Sequence, residues 1–118
     1  MRLRTLLHPE PPFDSAAASP FERAVFRFNA SGAGRTAARL ARILGTPSVS
    51  VGAAAGAPGV VRVTVAWELS WYQWGVDVGD ESSPVFEIGK GSEIDQLDYA
   101  ARQWNARLGR DGKLRLSG

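Results

Sequence analysis

Along residues 60–78 the chain alternates. Val61, Val63, Val65, Trp67, Leu69 and Trp71 hold the odd positions, with Arg62, Thr64, Glu68 and Ser70 between them. After Trp71 the phase reverses, and Trp74, Val76 and Val78 become the apolar positions. Period two is the mark of a strand with one buried face. A reversal of phase calls for one extra residue in the ladder, which a β-bulge supplies. No Asn-Gly or Asp-Gly pair, the strongest hairpin signal, lies inside the run. The pattern therefore predicts one long bent strand, with its bulge at Tyr72–Gln73 or a tight bend at Gly75.

Elsewhere the pattern is shorter. Ala24, Phe26 and Phe28 alternate with Arg23, Val25, Arg27 and Asn29, which predicts a strand over 23–29. A helical turn at 20–23 precedes it, because Ser19 and Glu22 form a capping box with Pro20 at the first helical position. Ala37, Leu40, Ala41 and Leu44 make a helical stripe, so a helix is expected over 34–44, stopped by Gly45. Short strands follow at 47–52 and 84–88. Ser92 with Asp95 caps a second helix whose seam is Ile94, Leu97, Ala101, Trp104 and Leu108. Leu114–Leu116 reads as a last short strand.

Residues 8–20 have no periodicity and read as an extended arm, with a short edge strand at Met1–Leu7 before it. Strands that follow one another by turns favour antiparallel pairing. The expected fold is a single α+β domain over 1–118, with residues 1–20 as a partly extended N-terminal arm. Its sheet is mostly antiparallel with four to six strands, a long bent (bulged) central strand and two helices packed on one face.

Composition removes several functions. The chain has no cysteine, which excludes disulfides, thiolate zinc sites and thiol catalysis. It has no leader-like apolar run near the N-terminus and no stretch of about 20 apolar residues. A cytoplasmic protein with no membrane partner is expected. Charge is uneven: residues 1–60 carry seven arginines against three acids, while residues 61–118 carry seven cations against nine acids. Patches of opposite sign suit a dimer or two different partners.

The candidate chemistry is sparse. Trp67 and Trp71 share the apolar face of the long strand and read as core, with Trp104 as a partner from the second helix. The alternative is an aromatic ligand pocket of Trp67, Trp71 and Trp104, with Glu68 or Arg62 as its polar contact. Tyr72 and Trp74 lie at or after the bulge, where a side chain is re-aimed, and are candidates for a surface that grips a protein, a nucleobase or a sugar. Arg35, Arg39 and Arg42 share one helix face suited to an acidic protein surface or a nucleic-acid backbone.

The turn Asn29–Thr36 is rich in glycine and opens a helix, yet it departs from both the Walker and the dinucleotide patterns and reads as a tight turn. His8 is the lone histidine, so a triad with an ordered base is not expected. Asp77, Asp80 and Glu81 cluster without the spacing of a calcium loop. Glu68 reads as a solvent-facing acid paired with Arg62 or another cross-strand arginine. No catalytic residue, metal or cofactor is assigned. The expected function is a small binding or assembly module acting through protein–protein association, as a homodimer or with a partner. A small-ligand protein or enzyme is the alternative, and a nucleic-acid-binding module a further one.

Overall fold

A computed structural model of the chain describes residues 18–117. The expected strand at Met1–Leu7 and most of the expected arm lie outside the described residues. The rest of that arm, Ala18 to Pro20, leads directly into a helix.

Two helices come first, α1 (Pro20–Asn29) and α2 (Gly32–Leu44). Six strands follow: β1 (Ser48–Ala53), β2 (Val60–Trp67), β3 (Ser70–Asp77), β4 (Val85–Gly91), β5 (Ala106–Leu108) and β6 (Leu114–Leu116). They form one sheet in the order β4-β3-β2-β1-β5-β6, antiparallel at every pairing. The α+β class, the antiparallel sheet and helix α2 are as the sequence predicts, while the other helix, α1, stands where a strand was expected.

Register explains the core. Val49 lies opposite Val65 and Val51 opposite Val63, while Val61 and Val63 lie opposite Val76 and Trp74. These side chains share one face and are buried there with Ala24, Val25 and Phe28 of α1 and Ala37 of α2. Ser50, Thr64, Ala66 and Gln73 point the other way and are buried too. The connection from β4 to β5 covers them as it crosses the sheet. The polar groups on this face satisfy one another, as burial demands: the Gln73 amide donates to Thr64 Oγ1 at 3.0 Å.

Three expectations are corrected. Residues 60–78 are not one bent strand but a hairpin, β2 and β3, closed by a turn of two residues, Glu68 and Leu69, between the pair Trp67–Ser70. A two-residue turn reverses parity by itself, so odd positions before it and even positions after it face the same way. Neither turn residue has a positive φ. The turn thus lacks the left-handed backbone that makes Asn-Gly the usual signal. A register shift does occur at Gln73/Trp74, but its extra residue, Ile88, belongs to the neighbouring β4.

The strand expected at 23–29 is helix α1. Both capping-box bonds form, Glu22 N–H to Ser19 Oγ at 3.1 Å and Ser19 N–H to Glu22 Oε1 at 2.8 Å. The buried set Ala24, Val25 and Phe28 has helical spacing. Alternation in a seven-residue window was outweighed by a complete helix start.

The helix expected after Ser92 is absent. Residues 92–105 hold only two 3₁₀ turns, Ile94–Gln96 and Tyr99–Arg102. Polar side chains instead start a second turn and pin the chain to β1. Asp98 Oδ1 accepts from Ala101 N–H at 2.9 Å. The Asn105 side chain brackets β1, accepting from Val51 N–H at 2.8 Å and donating to Val51 O at 2.9 Å. Trp104 takes φ of 50°, a left-handed backbone that no helix interior contains.

Candidate partner interface

The Glu68–Leu69 turn stands at one end of the sheet. Beneath it, Trp67 closes β2 and is only 8% exposed. Its indole N–H donates to the Gly45 carbonyl at 2.7 Å, which anchors the end of α2 against the hairpin. Gly45 takes φ of 96°, a backbone that suits glycine. The last turn of α2 then overhangs the sheet and leaves Ile43 and Leu44 exposed. Trp104 comes from the crossing connection. Its backbone N–H donates to Ser50 Oγ at 2.8 Å, and the residue is 37% exposed.

These elements enclose an open groove of about 430 Å³, lined chiefly by Leu44, Thr46, Trp67, Glu68, Ile94 and Trp104. Ile43 and Leu69, next in sequence to the lining residues Leu44 and Glu68, are 73% and 79% exposed. Exposed large apolar side chains gathered at one place mark an interaction surface more often than isolated ones do. Glu68, exposed at the turn, is the acid on this rim.

Of the expected pocket, the groove brings together Trp67, Trp104 and Glu68. It does not include Trp71 or Arg62. Trp71 pairs with Ala66 on the sheet face opposite to Trp67. Its indole N–H donates to Glu93 O at 2.9 Å and Gln96 Oε1 at 3.1 Å. A hairpin places Trp67 and Trp71 back to back, so they do not line one enclosed cavity. Arg62 lies farther down β2 and forms a bidentate pair with Asp98 at 2.8 and 3.1 Å, not with Glu68. The Arg62 guanidinium, helped by the Ala101 N–H, holds the Asp98 carboxyl below the usual carboxylate range.

The exposure expected of Trp74 is also corrected, and Tyr72 is half-buried. Trp74 is 7% exposed and meets Phe28 of α1 edge to face, centroids 5.4 Å apart. Tyr72 stacks on Trp74 at 5.9 Å and meets Trp67 edge-on at 6.2 Å. The rings form a ladder under the helices, because the turn puts even β3 positions on the core face.

Arg35, Arg39 and Arg42 are exposed along α2, as expected of a polar helix face, and among the described residues none has an ion-pair partner. The glycine-rich turn joins two helices rather than a strand and a helix. Gly34 sits there because a Cβ would strike the Phe28 carbonyl, and its N–H is taken by Ser31 Oγ at 3.3 Å. The acidic loop also serves its own backbone. Asp77 Oδ1 accepts from Gly79 N–H at 3.1 Å. Asp80 Oδ1 accepts from the N–H and the hydroxyl of Ser82, both at 2.8 Å, which holds its carboxyl below the usual range. Among the described residues no group of three or more His, Cys, Asp or Glu is placed to hold a metal ion.

The groove's rim was the part sequence reasoning missed. Leu44 belongs to the helical stripe and Ile94 to the expected helix seam, yet both line the groove. The nearest legible signal is Leu69, an apolar residue beside Glu68 at the end of the alternating run. Among the described residues no helix is long and apolar enough to cross a membrane. No family model matches the chain, and neither a curated protein nor a solved structure does.

Proposed function

We propose that the protein is a non-catalytic binding module that docks a segment of a protein partner in the groove between the α2 C-terminus, the hairpin tip and Trp104. The single observation that carries this reading is a groove lined by the exposed Leu44 and Trp104 together with Ile94 and the buried Trp67. Interfaces favour aromatic and aliphatic anchors at their centre and a polar rim. Arg35, Arg39 and Arg42 on the adjoining helix favour a partner with acidic residues flanking its apolar anchor. We place the module in the cytoplasm, in keeping with a sequence free of cysteine. The arginines alone also suit a nucleic-acid backbone, but Trp74 is buried and offers no stacking platform beside them.

Selection of a random displayed peptide library on the immobilised full chain tests the reading. Enriched peptides should carry an aromatic or aliphatic residue with Asp or Glu near it. They should shift the amide signals of Leu44, Glu68 and Trp104, and lose at least tenfold in affinity for Leu44→Ser or Trp104→Ser. Peptides that bind elsewhere, or no enrichment at all, would overturn it. Light scattering at high concentration that shows a dimer buried through these same residues would replace the foreign partner by a second copy.

A further inference from the structure

A second groove, of about 540 Å³, lies between α1 and β6 at the far edge of the sheet. Val25, Phe26, Leu114 and Leu116 give it an apolar floor, and Glu22, Lys113 and Arg115 give it a charged rim. We infer that this groove is the docking site of the chain's own residues 9–14, Pro-Glu-Pro-Pro-Phe-Asp, with the Phe13 side chain as the anchor. This goes beyond the partner groove above and does not depend on it.

Four observations converge. The first is reach. The capping box at Ser19 fixes where the chain enters α1, and Glu22, one turn on, already lines the groove. Phe13 is five residues before Ala18, a span of up to ~17 Å, and α1 itself is only ~15 Å long. Any point of the groove is therefore within reach.

The second is the state of the β6 edge. Asn29 closes it, its amide donating to Leu114 O at 3.0 Å and its oxygen accepting from Leu114 N–H at 2.8 Å. An occupant must then dock by side chains, not by a strand ladder. A segment with prolines at 9, 11 and 12 has few N–H groups to lose and a stiff extended backbone that costs little to order.

The third is charge. The Lys113 ammonium has no acidic partner among the described residues, and Phe13 is flanked by Glu10 and Asp14. The fourth is size. A stable interface between two globular copies buries about 800 Å² on each, whereas this groove spans one short helix and a strand of three residues. A tethered segment needs much less, because its effective concentration is of millimolar order.

Isotope-edited NOE spectroscopy on the full-length chain tests this. The Phe13 ring should show NOEs to methyls of Val25, Leu114 or Leu116. Leu116→Asp should abolish them and move the signals of residues 9–14 to random-coil shifts while the sheet amides keep their dispersion. If that variant fails to fold, Phe13→Ser probes the same contact from outside the folded body, and should leave the amides of β1 to β4 in place but shift those of Val25 and Leu114. Random-coil shifts for residues 9–14 in the unaltered chain would overturn the inference. So would NOEs seen only between labelled and unlabelled copies in a mixed sample, which would assign the groove to a second molecule.

Discussion

Trp67 and Trp71 stand four residues apart yet face opposite sides of the sheet, because the two-residue turn between Trp67 and Ser70 reverses the strand. Trp67 goes to the helix-covered core and Trp71 to the side crossed by the β4–β5 connection. Their substitutions should cost different amounts. Trp67→Ala removes a buried ring and its bond to Gly45, and is expected to destabilise by ~3–5 kcal/mol. Trp71→Ala removes a half-buried ring with two acceptors and is expected to cost less, ~1–3 kcal/mol. Urea denaturation of both variants measures the difference, and equal costs would contradict the two-sided placement.

Gly34→Ala puts a methyl group against the Phe28 carbonyl where α1 and α2 meet. Backbone on both sides leaves little room to yield, so a loss of ~1–3 kcal/mol is expected. Gly52→Ala is the control. A Cβ there meets nothing within 4 Å, and its backbone is ordinary strand. Restricting the unfolded chain should make that change neutral or stabilising by up to ~1 kcal/mol. Thermal melts of the two variants should move in different directions.

Ser19→Ala removes one half of the α1 capping box and should destabilise by ~1 kcal/mol. Ser19→Asp should keep most of the stability, since an aspartate oxygen accepts the same N–H. A pair of denaturation curves decides between them. Equal loss in both would mean that the hydroxyl does not hold the helix start.

The Arg62–Asp98 pair gives a pH dependence. Its carboxyl titrates below the ordinary value of 3.8, so the folded state binds that proton less readily than the unfolded state. The stability it contributes is present above pH 3.8 and is lost as pH falls through the lower folded value. Asp98 is largely exposed, so the pair is worth at most ~1 kcal/mol. Asp98→Asn should lower the urea midpoint at pH 7 and leave it nearly unchanged at pH 2 relative to the parent. A constant difference between pH 7 and pH 2 would assign the effect to lost packing rather than to the charge.

Much of the fold was legible because its signals were local. The stripe of α2 with its stop at Gly45, the valines of β2 and the last strand at Leu114–Leu116 each stand in the residues themselves. Two departures share one cause: spacing competes with the chemistry of single side chains, and the side chains win. The alternation from Ala24 to Phe28 hid a helix that Ser19 and Glu22 announced. The seam from Ile94 to Leu108 suggests a helix, but Asp98 caps a separate turn and Asn105 ties the chain to β1. The third departure is of another kind. A change of parity has two physical causes, an inserted residue and a reversal of the chain, and the turn at Glu68–Leu69 lacks the residues that usually betray the second. The candidate site suffered most from it, because exposure of Trp74 and enclosure by Trp71 both assumed an unbroken strand. The partner groove is formed by side chains from α2, the hairpin and the crossing connection, and no local pattern encodes their meeting.

The reversal at Glu68–Leu69 underlies the core, the aromatic ladder and the groove alike. Cross-strand NOEs in the uniformly labelled protein test it most directly. Contacts between the backbones of Ala66 and Trp71, and of Val63 and Trp74, are predicted by the observed register. Sequential contacts alone from Val60 to Val78, with no pairing between the two halves of that segment, would contradict it.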